Sequence, residues 1–331
     1  MKIVKPAYYD TFRCLASACP DSCCQEWAVQ VDEDAAALYR ALEGPLGDRL
    51  RSVMTEEDGD VILALEPDGR CPMWQQDGLC RIQAQLGEDA LCHTCRMFPR
   101  LRHDYGDLVE LGLELSCPEA ARLILADDGS MITESAPGGE EPEYDTEAMD
   151  ILLRTREVVL HLLSSPTAPE ERLAVLLLYG YAVQEELDGG EPAQLQFDSM
   201  LATARNLSSL GQAADLPAFF KTLEILTPRW ENLLRNPTGS SWCDAHLAMA
   251  RYFVNRYWLQ AVSDYDLISR VKLTVASCLL VKQLGGNLQE TAQLYSKEIE
   301  NNADNVDAIL DGAYTSPLLT DMGLLKLLLE A

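Results

Sequence analysis

Nine of the chain's eleven cysteines lie before residue 118, and this crowding constrains the fold more than any other feature. They come in blocks: Cys14-x4-Cys19-x3-Cys23-Cys24, then Cys71 and Cys80, then Cys92-x2-Cys95, and Cys117 alone. Ionised thiols that meet in one place repel each other, and burying such a pair without a cation is costly. A metal reverses that cost by holding them as anions. Disulfide-dense domains also concentrate cysteine, but they are usually short and exported. The opening Met1 to Cys14 lacks the apolar stretch of a signal peptide, so a reducing, cytoplasmic setting and a metal centre are expected. Ligands from separate segments would also staple a region poor in core.

The spacing bears on which metal. Zinc takes four tetrahedral ligands, often from two Cys-x2-Cys pairs, and only Cys92 and Cys95 have that spacing. Adjacent Cys23 and Cys24 do not easily place both sulfurs on one tetrahedral ion. Iron–sulfur clusters tolerate irregular spacing because their ligands bind different irons. The residues therefore favour an iron–sulfur cluster, with zinc and an unmetallated redox-thiol site as alternatives. A radical S-adenosylmethionine centre needs Cys-x3-Cys-x2-Cys. Cys19 and Cys23 begin that pattern, but position 26 is glutamate. Cys243 and Cys278 fall inside predicted helices and read as ordinary buried thiols.

The rest of the pattern gives a mainly α fold, with a helical bundle following a small Cys-rich α+β metal-binding part. Residues 1–126 form the latter. Short strands are predicted at 27–31, 60–65 and 107–115, and helices at 33–43 and 118–126. Ser116-Cys117-Pro118-Glu119 has the form of a capping box with proline at the first helical position. Residues 127–145 hold seven acids and no base and read as a linker or loop. From 146 to 331 the period is helical, with helices at 146–164, 169–187, 197–210, 215–234, 242–262, 264–284, 287–300, 303–312 and 317–329. No apolar run reaches the ~18 residues of a transmembrane helix. The formal charge of −27 repels nucleic acid backbones and anionic membranes. It favours solubility or a lysine-presenting partner.

With these blocks set out, a family likeness emerges. Cys14-Leu-Ala-Ser-Ala-Cys19-Pro-Asp-Ser-Cys23-Cys24-Gln-Glu-Trp27 resembles the N-terminal signature of the flagellin lysine-N-methylases. So do Cys71-Pro-Met-Trp74, Gly78-Leu-Cys80-Arg-Ile-Gln83, Thr94-Cys95-Arg-Met-Phe-Pro-Arg100 and Leu115-Ser-Cys117-Pro-Glu-Ala-Ala121. Arg251-Tyr-Phe-Val-Asn-Arg256 and Asp264-Tyr-Asp266 are similar to that family less distinctively. These enzymes belong to a wider group with a cysteine-rich zinc- or iron-chelating domain. The resemblance implies methyl transfer from S-adenosylmethionine to lysine side chains of flagellin, and an iron–sulfur cluster of [4Fe–4S] type. Carried over by position, its cysteines are Cys14, Cys19, Cys23, Cys24, Cys71, Cys80, Cys95 and Cys117. Cys19, Cys23, Cys24 and Cys95 are the first-choice ligands, while Cys92 falls where the family pattern is variable.

Methyl transfer to lysine needs a neutral amine, hence an apolar channel with an acid or tyrosine to take the proton. Tyr179, Tyr181, Tyr252, Tyr257 and Tyr265 suit such a channel, but core packing is the simpler role for each. Asp264 and Asp266 read as helix caps. Arg96, Arg100 and Arg102 form a basic patch able to offset cluster charge or bind a carboxylate. His93 and His103 lie near the cysteines, but with thiols so abundant they are minor ligand candidates. No Gly-x-Gly run follows a strand, so the sequence points to no donor site of the usual type. The rival from another class is a non-catalytic metal-binding or redox-sensing interaction protein. The sequence sets no oligomeric state.

Overall fold

The computed structural model describes the whole chain except residues 26–28, 58 and 331. Trp27 and Ala28 of the predicted strand 27–31 thus lie outside the described residues. The fold is mainly α, with helices holding 56% of the residues. The strands are β1 Lys2–Pro6, β2 Val29–Gln30, β3 Met54–Glu57, β4 Asp60–Leu63, β5 Arg100–Asp104, β6 Leu108–Leu113 and β7 Met131–Ser135. In the first part the helices are α1 Glu33–Ala41, α2 Gly44–Val53, α3 Arg81–Leu86, α4 His93–Met97 and α5 Pro118–Leu125. Then come α6 Thr146–Leu163, α7 Pro169–Leu187, α8 Phe197–Leu210, α9 Leu216–Phe220, α10 Pro228–Arg235 and α11 Asp244–Tyr257. The chain closes with α12 Ile268–Leu284, α13 Leu288–Ile299, α14 Ala303–Thr315 and α15 Asp321–Leu329. No helix among the described residues is long and apolar enough to cross a membrane.

Two separate apolar cores organise these elements. The smaller one gathers Val29, Tyr39, Leu50, Leu63, Met73 and Ile82 around the three-stranded sheet β2-β4-β3, and it includes Cys71 and Cys92. The larger one spans the helical part and also takes in Phe12, Leu108, Leu113, Leu115, Cys117 and Ile124. The second sheet has the order β5-β6-β1-β7, with β1 parallel to β6 and the other pairs antiparallel. Helix α12 is buried nearly all round and lies at the centre of the bundle, with α7, α11, α13 and α14 packed against it.

The sequence expectation contains no β1, β3, β5, α2, α3 or α4, and three of its features differ from the structure. The segment 127–145 contributes β7, whose residues pair with β1 from Lys2↔Ser135 to Pro6↔Met131. The predicted helix 215–234 is broken into α9 and α10. Thr227 precedes Pro228 and is therefore extended, and its hydroxyl caps α10 by accepting from the Trp230 amide at 3.1 Å. At α5 the N-cap is Cys117, which makes no side-chain capping bond. Of the two expected caps, Asp266 accepts from the Ser269 amide at 3.2 Å in the first turn of α12, whereas Asp264 caps no helix amide and instead pairs with the Arg270 guanidinium at 2.8–3.0 Å.

One buried ion pair ties the second sheet to the bundle. Arg156 of α6 meets Glu110 of β6 with two parallel bonds, at 2.9 and 2.5 Å, and both residues are buried. Removing one partner leaves an uncompensated buried charge. Glu110→Ala should therefore lower unfolding stability by about 3 kcal/mol, measured by urea denaturation. The double variant Glu110→Leu/Arg156→Met should recover most of that loss. A single variant as stable as wild type would contradict the role given to this pair.

Candidate metal centre

The cysteines converge on the seam between the two cores. A cavity of about 470 Å³ there is lined by Cys14, Cys19, Cys23, Cys24, Cys80, Cys95 and Cys117. Cys71 is buried in the smaller core, with its amide on the Cys24 carbonyl at 2.7 Å, and Cys92 is buried there too, its thiol against that of Cys95. Of the eight positions carried over from the family, seven thus wall one cavity. Cys92, set aside on sequence, has a thiol partner within the group. Cys243 is exposed and Cys278 is buried in the larger core. All eleven are free thiols. His93 and His103 do not line the cavity. Among the described residues, no three His, Cys, Asp or Glu side chains stand close enough together to share a single metal ion.

Local structure aims these sulfurs. The turn after Trp74 closes with Gly78 N–H on the Gln75 carbonyl at 2.9 Å and pairs Trp74 with Cys80. Gly78 has φ of +80°, the left-handed region that favours glycine, and a Cβ there would stand 3.5 Å from the Ser17 backbone. Cys80, Cys92 and Cys117 each occupy a helix N-cap and make no capping bond with the side chain. Their sulfurs stand beside the amide ends of helices, which favour an anion. Asp32 fixes α4 against α1, accepting from the His93 amide at 2.6 Å and from the Ala35 amide at 3.0 Å.

A residue set absent from the sequence reading holds the first block. Asp21 accepts from the Ser22 amide at 2.8 Å, the Gln25 side chain at 2.7 Å and the Gln293 side chain at 2.9 Å. Lys297 of α13 lies 3.3 Å from both Asp21 oxygens and lines the cavity while itself buried. Gln293 also donates to the Ser116 carbonyl at 2.6 Å, beside Cys117. Gln293 and Lys297 are four apart and so share one helix face. Only their distance from the cysteines in sequence hid them.

Electrostatics decide which of these thiols keep their protons. Burial pushes the Cys71 thiol up to about 11 and the Cys117 thiol up to about 12. Within the touching pairs, the hydrogen bond from the neighbouring thiol brings Cys23 and Cys92 down to about 7 while Cys24 and Cys95 are raised. One proton leaves each pair readily. The second leaves only against burial and the charge beside it.

No family model matches the chain, and no solved structure matches it. The lysine-N-methylases of Salmonella typhimurium and Salmonella choleraesuis are 33% identical to it over 141 residues, or 39% of this chain and 34% of each of theirs. Flagellar biosynthetic protein FliU of Salmonella muenchen is 33% identical over 141 residues, covering 80% of that protein. The chain belongs to the flagellin lysine-N-methylase family. It spans about a third of the length of the lysine-N-methylases it matches.

For this family member the geometry sets an order of thiol reactivity. In protein stripped of metal under reducing conditions, a maleimide should label Cys14, Cys23 and Cys243 first. Cys92 and Cys278 should stay unlabelled until the chain is denatured. Peptide mass spectrometry reads the order, and rapid labelling of folded Cys92 would contradict the placement described.

Proposed function

We propose that the chain is a protein-lysine N-methyltransferase that transfers methyl groups from S-adenosylmethionine to lysine side chains of flagellin. We further propose that its cysteines hold an iron–sulfur cluster of [4Fe–4S] type. The observation that carries the function is the likeness to proteins named lysine-N-methylase. The observation that carries the cluster is the ring of seven thiols on one cavity.

The donor set fits such a group. A ring of thiols around about 470 Å³ suits ligands that bind different irons. A single tetrahedral zinc draws four donors to about 2.3 Å from one point. Cys19, Cys23, Cys24 and Cys95 remain the first-choice ligands, with Cys14, Cys80 and Cys117 on the same wall and Cys71 behind it. When bound, the cluster supplies a cationic core that holds these sulfurs as anions and fixes one core against the other. Lys297 places a positive charge at the cavity wall, where the ligand set brings excess negative charge.

The transfer itself is a displacement. The lysine nitrogen forms a bond to the sulfonium methyl, the carbon–sulfur bond breaks, and the electron pair leaves on a neutral thioether. The amine must first lose its proton, which from a free pKa near ~10.4 requires an apolar, water-poor approach and a proton acceptor. The acidic surface, with formal charge −27, draws a lysine-presenting partner to the protein. The rival is a non-catalytic metal-binding or redox-sensing interaction protein.

Two measurements test this reading. Incubation with S-adenosylmethionine and flagellin should add whole methyl units to lysines, read by peptide mass spectrometry. No gain on any lysine would favour the rival. After anaerobic isolation, Cys24→Ser should lose most of the iron and acid-labile sulfide of wild type, whereas Cys243→Ser should keep them. Equal loading in both variants would remove Cys24 from the ligand set.

A further inference from the structure

The cysteine cavity shares a wall with a second pocket of about 290 Å³, whose lining includes Met97, Phe98, Arg100, Glu114, Glu300 and Asn301. Phe98, Arg100 and Asn301 belong to both. Arg100 opens β5, directly opposite Leu113 of β6, so that Glu114 follows at the end of the same ladder with its amide on the Pro99 carbonyl at 2.7 Å. Glu300 is fixed by the hydroxyls of Tyr252 and Tyr257, which donate to it at 2.9–3.1 Å. Arg256 lies 3.3 Å from Glu300 and 3.5 Å from Glu114. The floor is therefore rigid, and it sets two carboxylates against one guanidinium.

Arg100 stands apart from this network. Its guanidinium lies 5.3 Å from the centre of the Phe12 ring and meets no carboxylate within ion-pair distance among the described residues. Arg102, two positions along the same strand, is paired with Asp104 at 2.5 Å. The chain has 53 acidic residues against 26 lysines and arginines. An arginine that meets no carboxylate among the described residues, at the junction of two cavities, is thus the group placed to receive an anion from a ligand.

We propose that this second pocket binds the methyl donor, with Arg100 taking the carboxylate of its amino-acid end and Met97 and Phe98 packing against its apolar part. The site suits an α-amino carboxylate because this guanidinium and a carboxylate floor stand together in one pocket, answering the two charges of a zwitterion. Its shared wall sets the donor beside the thiol-lined cavity without using any cysteine to bind it. This assignment rests on the methyltransferase reading and adds the residues that hold the donor.

The test is equilibrium binding of S-adenosylhomocysteine to the full chain, isolated anaerobically, followed by calorimetry. 5′-Methylthioadenosine, which lacks the amino-acid end, serves as the comparison ligand. Arg100→Met should weaken S-adenosylhomocysteine at least tenfold and leave 5′-methylthioadenosine unchanged, and Arg100→Lys should restore part of the loss. Met97→Trp, which fills the pocket while keeping Arg100, should weaken both ligands and decides the matter if Arg100→Met does not fold. Wild-type tightness for S-adenosylhomocysteine in the folded Arg100→Met and Met97→Trp variants would overturn the site while leaving the methyltransferase reading standing. If wild type binds neither ligand, the donor assignment falls together with that reading.

Discussion

The structure depends on thiols gathered where two hydrophobic cores meet. Cys71 and Cys92 belong to the smaller core and Cys117 to the larger, and seven cysteines line the cavity between them. Such sulfurs are stable in one of two ways: protonated, at the cost of a cavity crowded with weak hydrogen-bonding groups, or ionised around a cation. Burial favours the proton on Cys71 and Cys117, and contact within the pairs resists a second ionisation. In the loaded state proposed above, a bound metal would remove that conflict and lock the cores together. Metal binding and the stability of the first part would then be one equilibrium.

The bundle takes part in the same centre. Helix α13 sends Gln293 and Lys297 to Asp21, inside the first cysteine block, and Gln293 reaches the backbone next to Cys117. Elsewhere, Arg156 and Glu110 join α6 to β6. A buried lysine is expensive unless it is paired, and here it is both paired and set against a cavity that would carry excess negative charge when loaded. These cross-links give the helical residues a structural stake in the cysteine site, although no cysteine of theirs lines it.

Much of this was legible in the sequence, for physical reasons that can be named. Helices α7 and α8 match their expected bounds because proline at Pro169, the run Gly189-Gly190 and a regular apolar period mark them without ambiguity. The blocks of cysteine pointed to convergence because scattered thiols have few other uses in a chain of this kind. Strand β7 was hidden because Met131–Ser135 is exposed along its length and sits among acidic and turn residues, so that only pairing with β1 reveals it. The break between α9 and α10 is signalled by Thr227-Pro228, which outweighs the helical period on either side. Cys92 was passed over because family position says nothing of a thiol buried against its i+3 neighbour. Asp21, Gln293 and Lys297 were invisible because their contact spans most of the chain, and the pocket beside the cysteines because Arg100 has meaning only once its lack of a carboxylate among the described residues is known.

The central claim is that these thiols share an inorganic core. Iron K-edge X-ray absorption on anaerobically isolated wild-type protein tests it most directly. A first shell made of sulfur alone, with short iron–iron scattering beyond it, is the expected spectrum. Iron absent or bound by nitrogen and oxygen, or a sample whose cysteines prove joined pairwise as disulfides, would contradict it.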